Sequence, residues 1–296
     1  MYYLLYGLLY PISLLPFSVL YFLSDGIAFL LHKVIGYRKE TIAANLLIAF
    51  PEKTNEERAI ILRDFYRNFT DTILETIKLL SISQNEFNKR NQIHWQAVNE
   101  VAASGKNIQI YCAHQFNWEW ANLATAGATN IKAIGVYKAI TNKAVDRLFL
   151  RLRRHPNQLL LPMQQFGPRN LTALSSQHLL GLIADQSPPY PQKAYWLRFF
   201  GKPTPFLNGP DKISHMLNMA IFFLEFNRPK RGYYVYTPML VTTDPNSLKP
   251  GELTLRFRDF LEEIIRKNPS LYLWSHKRWK QPWREEFSKL WIDVKE

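Results

Sequence analysis

The first 24 residues, MYYLLYGLLYPISLLPFSVLYFLS, carry no charged side chain, and after Asp25 the apolar run resumes as GIAFLL. A bilayer core takes about 20 apolar residues as helix, so this segment must either meet lipid or be covered by the rest of the chain. It has no basic stretch ahead of it and no short apolar core closing on small residues, so it is expected to be retained rather than cleaved as a signal peptide. Tyr2, Tyr3, Tyr6 and Tyr10 gather at one end like an interfacial belt, while Lys33, Arg38 and Lys39 follow the other, which favours a cytoplasmic body. Pro11 and Pro16 interrupt a clean span. Three placements stay open: a crossing helix, a kinked helix lying partly in one leaflet, and a buried core helix. Residues 1–36 are read as the hydrophobic membrane anchor and 37–296 as the body.

Charge narrows the partners. Lysine and arginine total 37 against 24 acidic residues, a net charge of +13. That field suits nucleic acid, anionic lipid or an acidic protein. The 47% hydrophobic content tips the balance towards a membrane, and with no base-reading module in the sequence, nucleic-acid binding is not expected. At 296 residues the core needs no staples, and the lone Cys112 allows no disulfide within the chain. The histidines lack zinc-type spacing, so neither a metal nor a cofactor is expected.

After Pro51, KTNEERAIILRDFYRNFTDTILETIKLL reads as a long packing helix, with Thr54 and Glu57 at capping-box spacing. Next, GKNIQIYCAH is a strand candidate and WEWANLATAGA resumes a helical pattern. IKAIGVYKA, NQLLLPM and HLLGLIA extend the strands, with NKAVDRLFLRLRR and NLTALSSQ as helix candidates between them. NMAIFFLEFNRP and GYYVYTPMLV add two strands, and GELTLRFRDFLEEIIRKNPS closes with an amphipathic helix. The alternation predicts an α/β fold with a mostly parallel central sheet flanked by helices.

In such a sheet, functional groups collect where strands end and helices begin. His114, just past IQIYCA, sits at that point, and Asn117 is a natural N-cap for the helix carrying Glu119. On one continuous helix, residues five apart point roughly 140° away from each other, but across a strand-to-helix turn they can converge. Glu119 is then expected to accept a hydrogen bond from one ring nitrogen of His114, leaving the other free to take a proton as general base. With no serine or cysteine nucleophile attached, the simplest chemistry activates a hydroxyl belonging to the substrate. A satisfied structural histidine is the plain alternative.

The stretch AHQFNWEWA, with His114 and Glu119 in an HX4E arrangement, resembles the signature of the bacterial lipid A biosynthesis acyltransferases, the lauroyl/myristoyl transferase family. GVYKAITNKAVDRLFLRLR, GLIADQSP, FFGKPTPF and PSLYLWSHKRWK agree in order along nearly the whole chain after the anchor. The resemblance implies a glycerolipid-acyltransferase-like fold and transfer of a fatty acyl chain from acyl carrier protein to a hydroxyl of a lipid A precursor. In that reading His114 deprotonates the hydroxyl, aided by Glu119, without an acyl-enzyme, at the bacterial inner (cytoplasmic) membrane with the catalytic domain facing the cytoplasm. Another glycolipid, aminolipid or phospholipid acceptor is the alternative, since nothing in the motif reads the acceptor.

Further substrate-binding candidates accompany the motif. Asn117 and Trp118 lie inside it. Arg151 and Arg153 match the family's RLR element, where a guanidinium suits a phosphate or an oxyanion; a solvated basic helix face is the alternative. Lys138 stands where relatives usually carry arginine, keeping the charge but losing the fork. Asp185 and Gln186 end an apolar strand candidate and form either a second active-site element or a turn. FFGKPTPF could line an acyl channel or simply pack. His276, Lys277, Arg278, Trp279 and Lys280 form a basic aromatic cluster expected to touch anionic headgroups or the acidic carrier protein. Cys112 is read as a small buried hydrophobe, with a Cys/His nucleophilic pair as the lesser alternative.

Overall fold

A computed structural model of the chain describes residues 1–167, 170–171 and 176–293. The helix candidate NLTALSSQ includes residues 172–175 and in that part lies outside the described residues.

The apolar N-terminus is divided into α1 (Tyr2–Leu14) and α2 (Phe17–Phe29). Leu15 breaks them apart at ψ 143°, the extended backbone that a following proline imposes. A wider helical turn over Leu30–Ile35 extends α2 and stops at Gly36, whose φ of +66° closes the helix in left-handed conformation. Then come α3 (Lys39–Ala49) and α4 (Asn55–Lys78). The capping box starts α4 as expected: Thr54 Oγ1 accepts from the Glu57 amide at 3.2 Å and Glu57 Oε2 from the Thr54 amide at 2.7 Å.

The body continues as α5 (Gln84–Arg90), β1 (Asn91–Ile93), α6 (Gln96–Ala103), β2 (Ile108–Cys112), α7 (Trp118–Ala128) and β3 (Lys132–Tyr137). After these follow α8 (Lys143–Leu152), β4 (Gln158–Pro162), β5 (His178–Ile183), β6 (Tyr195–Phe199), β7 (Lys202–Phe206) and α9 (Gly209–Met216). The last elements are β8 (Ala220–Lys230), β9 (Tyr233–Thr242) and α10 (Glu252–Lys267).

Among the described residues, seven strands form one sheet in the order β1-β9-β8-β2-β5-β3-β4. Every neighbouring pair is parallel except β8 with β9. Central strand β2 is buried on both faces, and its period of two feeds two cores. Tyr111 points with Leu180, Phe223 and Phe257 into one, while Ile108 and Ile110 point with Trp95, Trp120 and Phe222 into the other. FFGKPTPF forms the β6–β7 hairpin, turning at Phe200 (φ +50°) and Gly201 (φ +71°). Phe199 and Phe206 are buried in the core, so this stretch packs the body together.

The N-terminal segment is covered on one side only. α1 and α2 pack on α4, and α1 also meets α8. Ser24 Oγ donates to Asp71 at 2.7 Å, and Lys78 Nζ donates to the Ser13 and Leu15 carbonyls at 2.7 and 2.9 Å. The opposite side leaves Leu4, Leu8, Phe22, Phe29, Val34 and Ile35 exposed. By length and composition, the 19-residue helix Phe17–Ile35 is able to cross a membrane.

Candidate active site

Parallel register sets the site. Cys112 on β2 stands opposite Ile183 on β5, so two residues further along each chain His114 comes level with Asp185. His114 Nδ1 lies 2.7 Å from Asp185 Oδ1. Burial of Asp185 by itself favours the neutral acid. The hydrogen bonds of His114, its charge whenever the ring is protonated, and the Arg278 guanidinium outweigh it and hold the carboxyl below its usual range. An ionised Asp185 accepts only, so Nδ1 carries a proton, and it is Nε2 that presents a lone pair in the neutral ring. Gln186 Nε2 is 3.2 Å from that nitrogen and donates to it. The Trp118 indole stands edge-on to the imidazole, with centroids 5.5 Å apart.

The turn that carries His114 is fixed at both ends. Leu273 N donates to the His114 carbonyl and Phe116 N to the Leu271 carbonyl, each at 3.0 Å. Asn117 caps α7 as expected, its Oδ1 accepting from the Glu119 and Trp120 amides at 3.1 and 3.3 Å. Its Nδ2 donates to Glu75 Oε2 at 3.0 Å, so the side chain is consumed by the fold rather than offered to a ligand. Glu75, fully buried on α4, also accepts from Tyr21 Oη at 2.9 Å and Tyr234 Oη at 2.6 Å. Burial raises its pKa. Nothing in the sequence singled out Glu75, because a lone Glu in a helix reads as a solvated position.

Glu119 does not contact His114 as expected. Its two oxygens are taken by Arg153 Nε at 2.7 Å and Nη2 at 2.5 Å, and Trp118 Nε1 adds a third donor at 3.2 Å. A forked guanidinium satisfies both carboxylate oxygens at once, which a single imidazole N–H cannot do. Both nitrogens of His114 are meanwhile engaged by Asp185 and Gln186.

The remaining candidates separate. Arg151 faces α1, its guanidinium 4.6 Å from the centre of the Tyr6 ring and within 3.5 Å of Tyr2 Oη. Lys138 is exposed and makes no side-chain hydrogen bond or ion pair among the described residues. The basic aromatic cluster is not the outward patch expected. Arg278 is fully buried, donating to the Pro205 carbonyl at 2.9 Å and covering the Phe206 ring, and burial depresses its pKa to about 10. His276 Nε2 accepts from the Ser187 amide at 3.0 Å, leaving Lys277 and Lys280 as the exposed members. Burial, aided by the Asp185 charge, pushes the Cys112 thiol up to about 12, so it stays protonated and is a poor nucleophile.

A cavity of about 90 Å³ runs from Cys112 and Trp118 between α7 and strands β2, β3 and β5, walled by Ala121, Ile134 and Ile183. It is apolar and begins beside the His114 turn. Its floor includes Gly135, where an added Cβ would come within 3.2 Å of the Asn122 and Gln158 amides.

A mostly parallel α/β sheet whose central strand leads to a carboxylate-held histidine beside an apolar cavity offers a place for general-base chemistry, and the class of enzyme comes from the family. The chain belongs to the bacterial lipid A biosynthesis acyltransferase family, whose sequence profile matches residues 1–281. It is 24% identical over 275 residues to a lipid A biosynthesis acyltransferase of Haemophilus influenzae, an alignment that covers 90% of this chain and 86% of that protein.

Proposed function

We propose that this acyltransferase moves a fatty acyl chain from an acyl carrier protein thioester to a hydroxyl of a lipid A precursor, with His114 as the general base. The 2.7 Å bond from His114 Nδ1 to a buried, ionised Asp185 carries the reading, because it leaves Nε2 as the proton acceptor. Nε2 takes the hydroxyl proton as the substrate oxygen attacks the thioester carbonyl. That attack forms the new C–O bond, and the tetrahedral intermediate then collapses, re-forming the carbonyl of the ester as the C–S bond breaks. The thiolate, whose acid has a pKa of about 8.5, leaves readily and recovers the proton from His114. Gln186, which turns its amide towards Nε2, is displaced by the incoming hydroxyl or donates to it. Glu119 acts through Arg153: their ion pair fixes the first turn of α7 against α8 and so positions Trp118 beside the imidazole.

The same reading places the protein at the cytoplasmic face of the inner membrane. One face of α1 and α2 is hydrogen-bonded to the body while the other exposes large apolar side chains, which suits helices lying in one leaflet with residues 1–36 as the anchor. Exposed Lys277 and Lys280 are free to meet anionic headgroups or the acidic carrier protein.

Replacing His114 with Ala tests the assignment. The variant is expected to fold and float with vesicles like the wild type while transfer from acyl-carrier-protein thioester to lipid A precursor, followed by mass spectrometry, falls by roughly 10²–10⁴-fold. Undiminished turnover would sink the general base.

A further inference from the structure

Behind the segment that ties down the His114 turn, the side chains of α4, the tip of the β8–β9 hairpin and the segment 268–271 flank an open cleft of about 430 Å³. Five cations line it, Arg63, Arg67, Arg228, Lys230 and Arg231, against Asp64 and Asp71. Asp71, deeply buried, holds Arg228 Nη2 at 2.6 Å and Arg231 Nη2 at 2.7 Å. Asp25 on α2 takes Arg231 at 2.8 Å and Arg67 at 3.3 Å. With Asp25 counted, five positive charges still face three negative ones.

The surplus is available to a ligand. Arg63 pairs only with its chain neighbour Asp64 at the surface, and Lys230 forms no ion pair among the described residues. Arg228 is nine-tenths buried, and its Nε, itself shielded from solvent, has no partner among the described residues, so its charge is only partly compensated from within the fold. A buried donor left unsatisfied is costly, and a concave site with excess positive charge concentrates anions. Arg228 and Arg231 spend their donors on Asp71, Asp25 and Asn68 and supply fixed charge behind the cleft, while Arg63, Arg67 and Lys230 are the exposed cations that can meet an anion.

We infer that this cleft binds a phosphate group, as the monoester or diester of a glycerophospholipid headgroup or as a soluble phosphate. Tetrahedral phosphate oxygens accept from several forks at once, which a single carboxylate does less well. The cleft is roomier than a bare phosphate needs and stands against α2, where Arg231 Nη2 donates to the Tyr21 carbonyl at 3.3 Å. It shares no lining residue with the apolar cavity beside His114. Binding is measured without any acyl donor, so the inference stands or falls apart from the acyl-transfer reading.

The experiment uses the full chain in neutral detergent, titrated with inorganic phosphate and with glycerol 3-phosphate, and in parallel floated with phosphatidylcholine vesicles with and without phosphatidylglycerol. A triple variant, Arg63→Gln, Arg67→Gln and Lys230→Gln, removes three exposed cations and leaves both Asp71 pairs intact. A control triple, Lys202→Gln, Lys212→Gln and Lys249→Gln, removes the same charge elsewhere. The first triple is expected to weaken phosphate binding by at least about tenfold and the control by less than about twofold. Loss of the phosphatidylglycerol dependence in the same triple assigns the site to a lipid headgroup; an unchanged dependence assigns it to soluble phosphate. Phosphate binding that is undetectable in the wild type, kept by the triple, or lost equally in the control overturns the inference.

Discussion

Two buried polar assemblies meet at Asn117 and differ in what they leave unspent. Around Glu75, every strong partner is a donor aimed at one carboxyl: Tyr21, Tyr234 and Asn117. Around His114, Asp185 fixes one ring nitrogen, while the other meets only a side-chain amide next to an apolar cavity. A network whose members satisfy one another rigidifies the fold; on the proposed reading, one whose second ring nitrogen meets only a displaceable amide beside an apolar cavity serves the reaction. The comparison therefore predicts rate effects from one assembly and stability effects from the other.

The largest effect belongs to Asp185→Asn. An amide in place of the carboxylate can no longer hold Nδ1–H and stabilise the imidazolium, so kcat is expected to drop by roughly 10³-fold, about 4 kcal/mol of transition-state stabilisation, with the melting temperature little changed. Steady-state rates beside thermal melts check it. If the variant unfolds while the folded fraction turns over normally, Asp185 belongs with the structural assembly and the contrast collapses.

Glu75→Ala should do the reverse. It strands three donors in the interior, each costing roughly 1–3 kcal/mol, so a total loss of about 3–9 kcal/mol in unfolding free energy is expected. Turnover per folded molecule should fall far less than in Asp185→Asn. Arg153→Ala lies between the two: Glu119, 4% exposed, is left without its counter-ion, which costs about 3 kcal/mol of stability. If Glu119 acts by positioning Trp118, Arg153→Lys should restore stability better than it restores kcat, because a point charge cannot replace the fork. Equal recovery of both would reduce the pair to a purely structural role.

How much of this was legible in the sequence follows from range. The capping box of α4, the N-cap at Asn117 and the alternating strands and helices are local patterns, and they appear where the residues predicted them. The partner of His114 is not local. Asp185 is 71 residues away and becomes its neighbour only through the parallel register of β2 with β5, which no spacing rule reveals. Glu119 was expected in that role because it is near in sequence. Arg153, 34 residues on, claims it instead, and a competition of this kind is decided by which side chains a fold brings together. The basic run at 276–280 misled for a similar reason: charge in a sequence reads as surface, yet Arg278 is buried over aromatic rings with a carbonyl to receive it.

The smallest effect contrasts two histidines close to the same carboxylate. His114 has its Nδ1 on Asp185, whereas His276 accepts the Ser187 N–H at Nε2 and is neutral in that bond. Burial lowers the His276 pKa to about 4, with the Asp185 charge opposing and Arg278 reinforcing the shift. An unfolded histidine titrates near 6.5. Between those values the unfolded chain takes up a proton that the native state refuses, so this group's contribution is complete above about pH 6.5 and is lost as pH falls towards about 4. His276 is partly exposed, and solvent screening makes the slope shallow. In His276→Asn, whose side-chain oxygen can still accept the Ser187 N–H, the melting temperature should therefore decline less between pH 6.5 and 4 than in the wild type, while remaining close to it at pH 7. Identical slopes would show that the acid sensitivity arises elsewhere, and that His276 is as indifferent to its buried setting as a surface histidine.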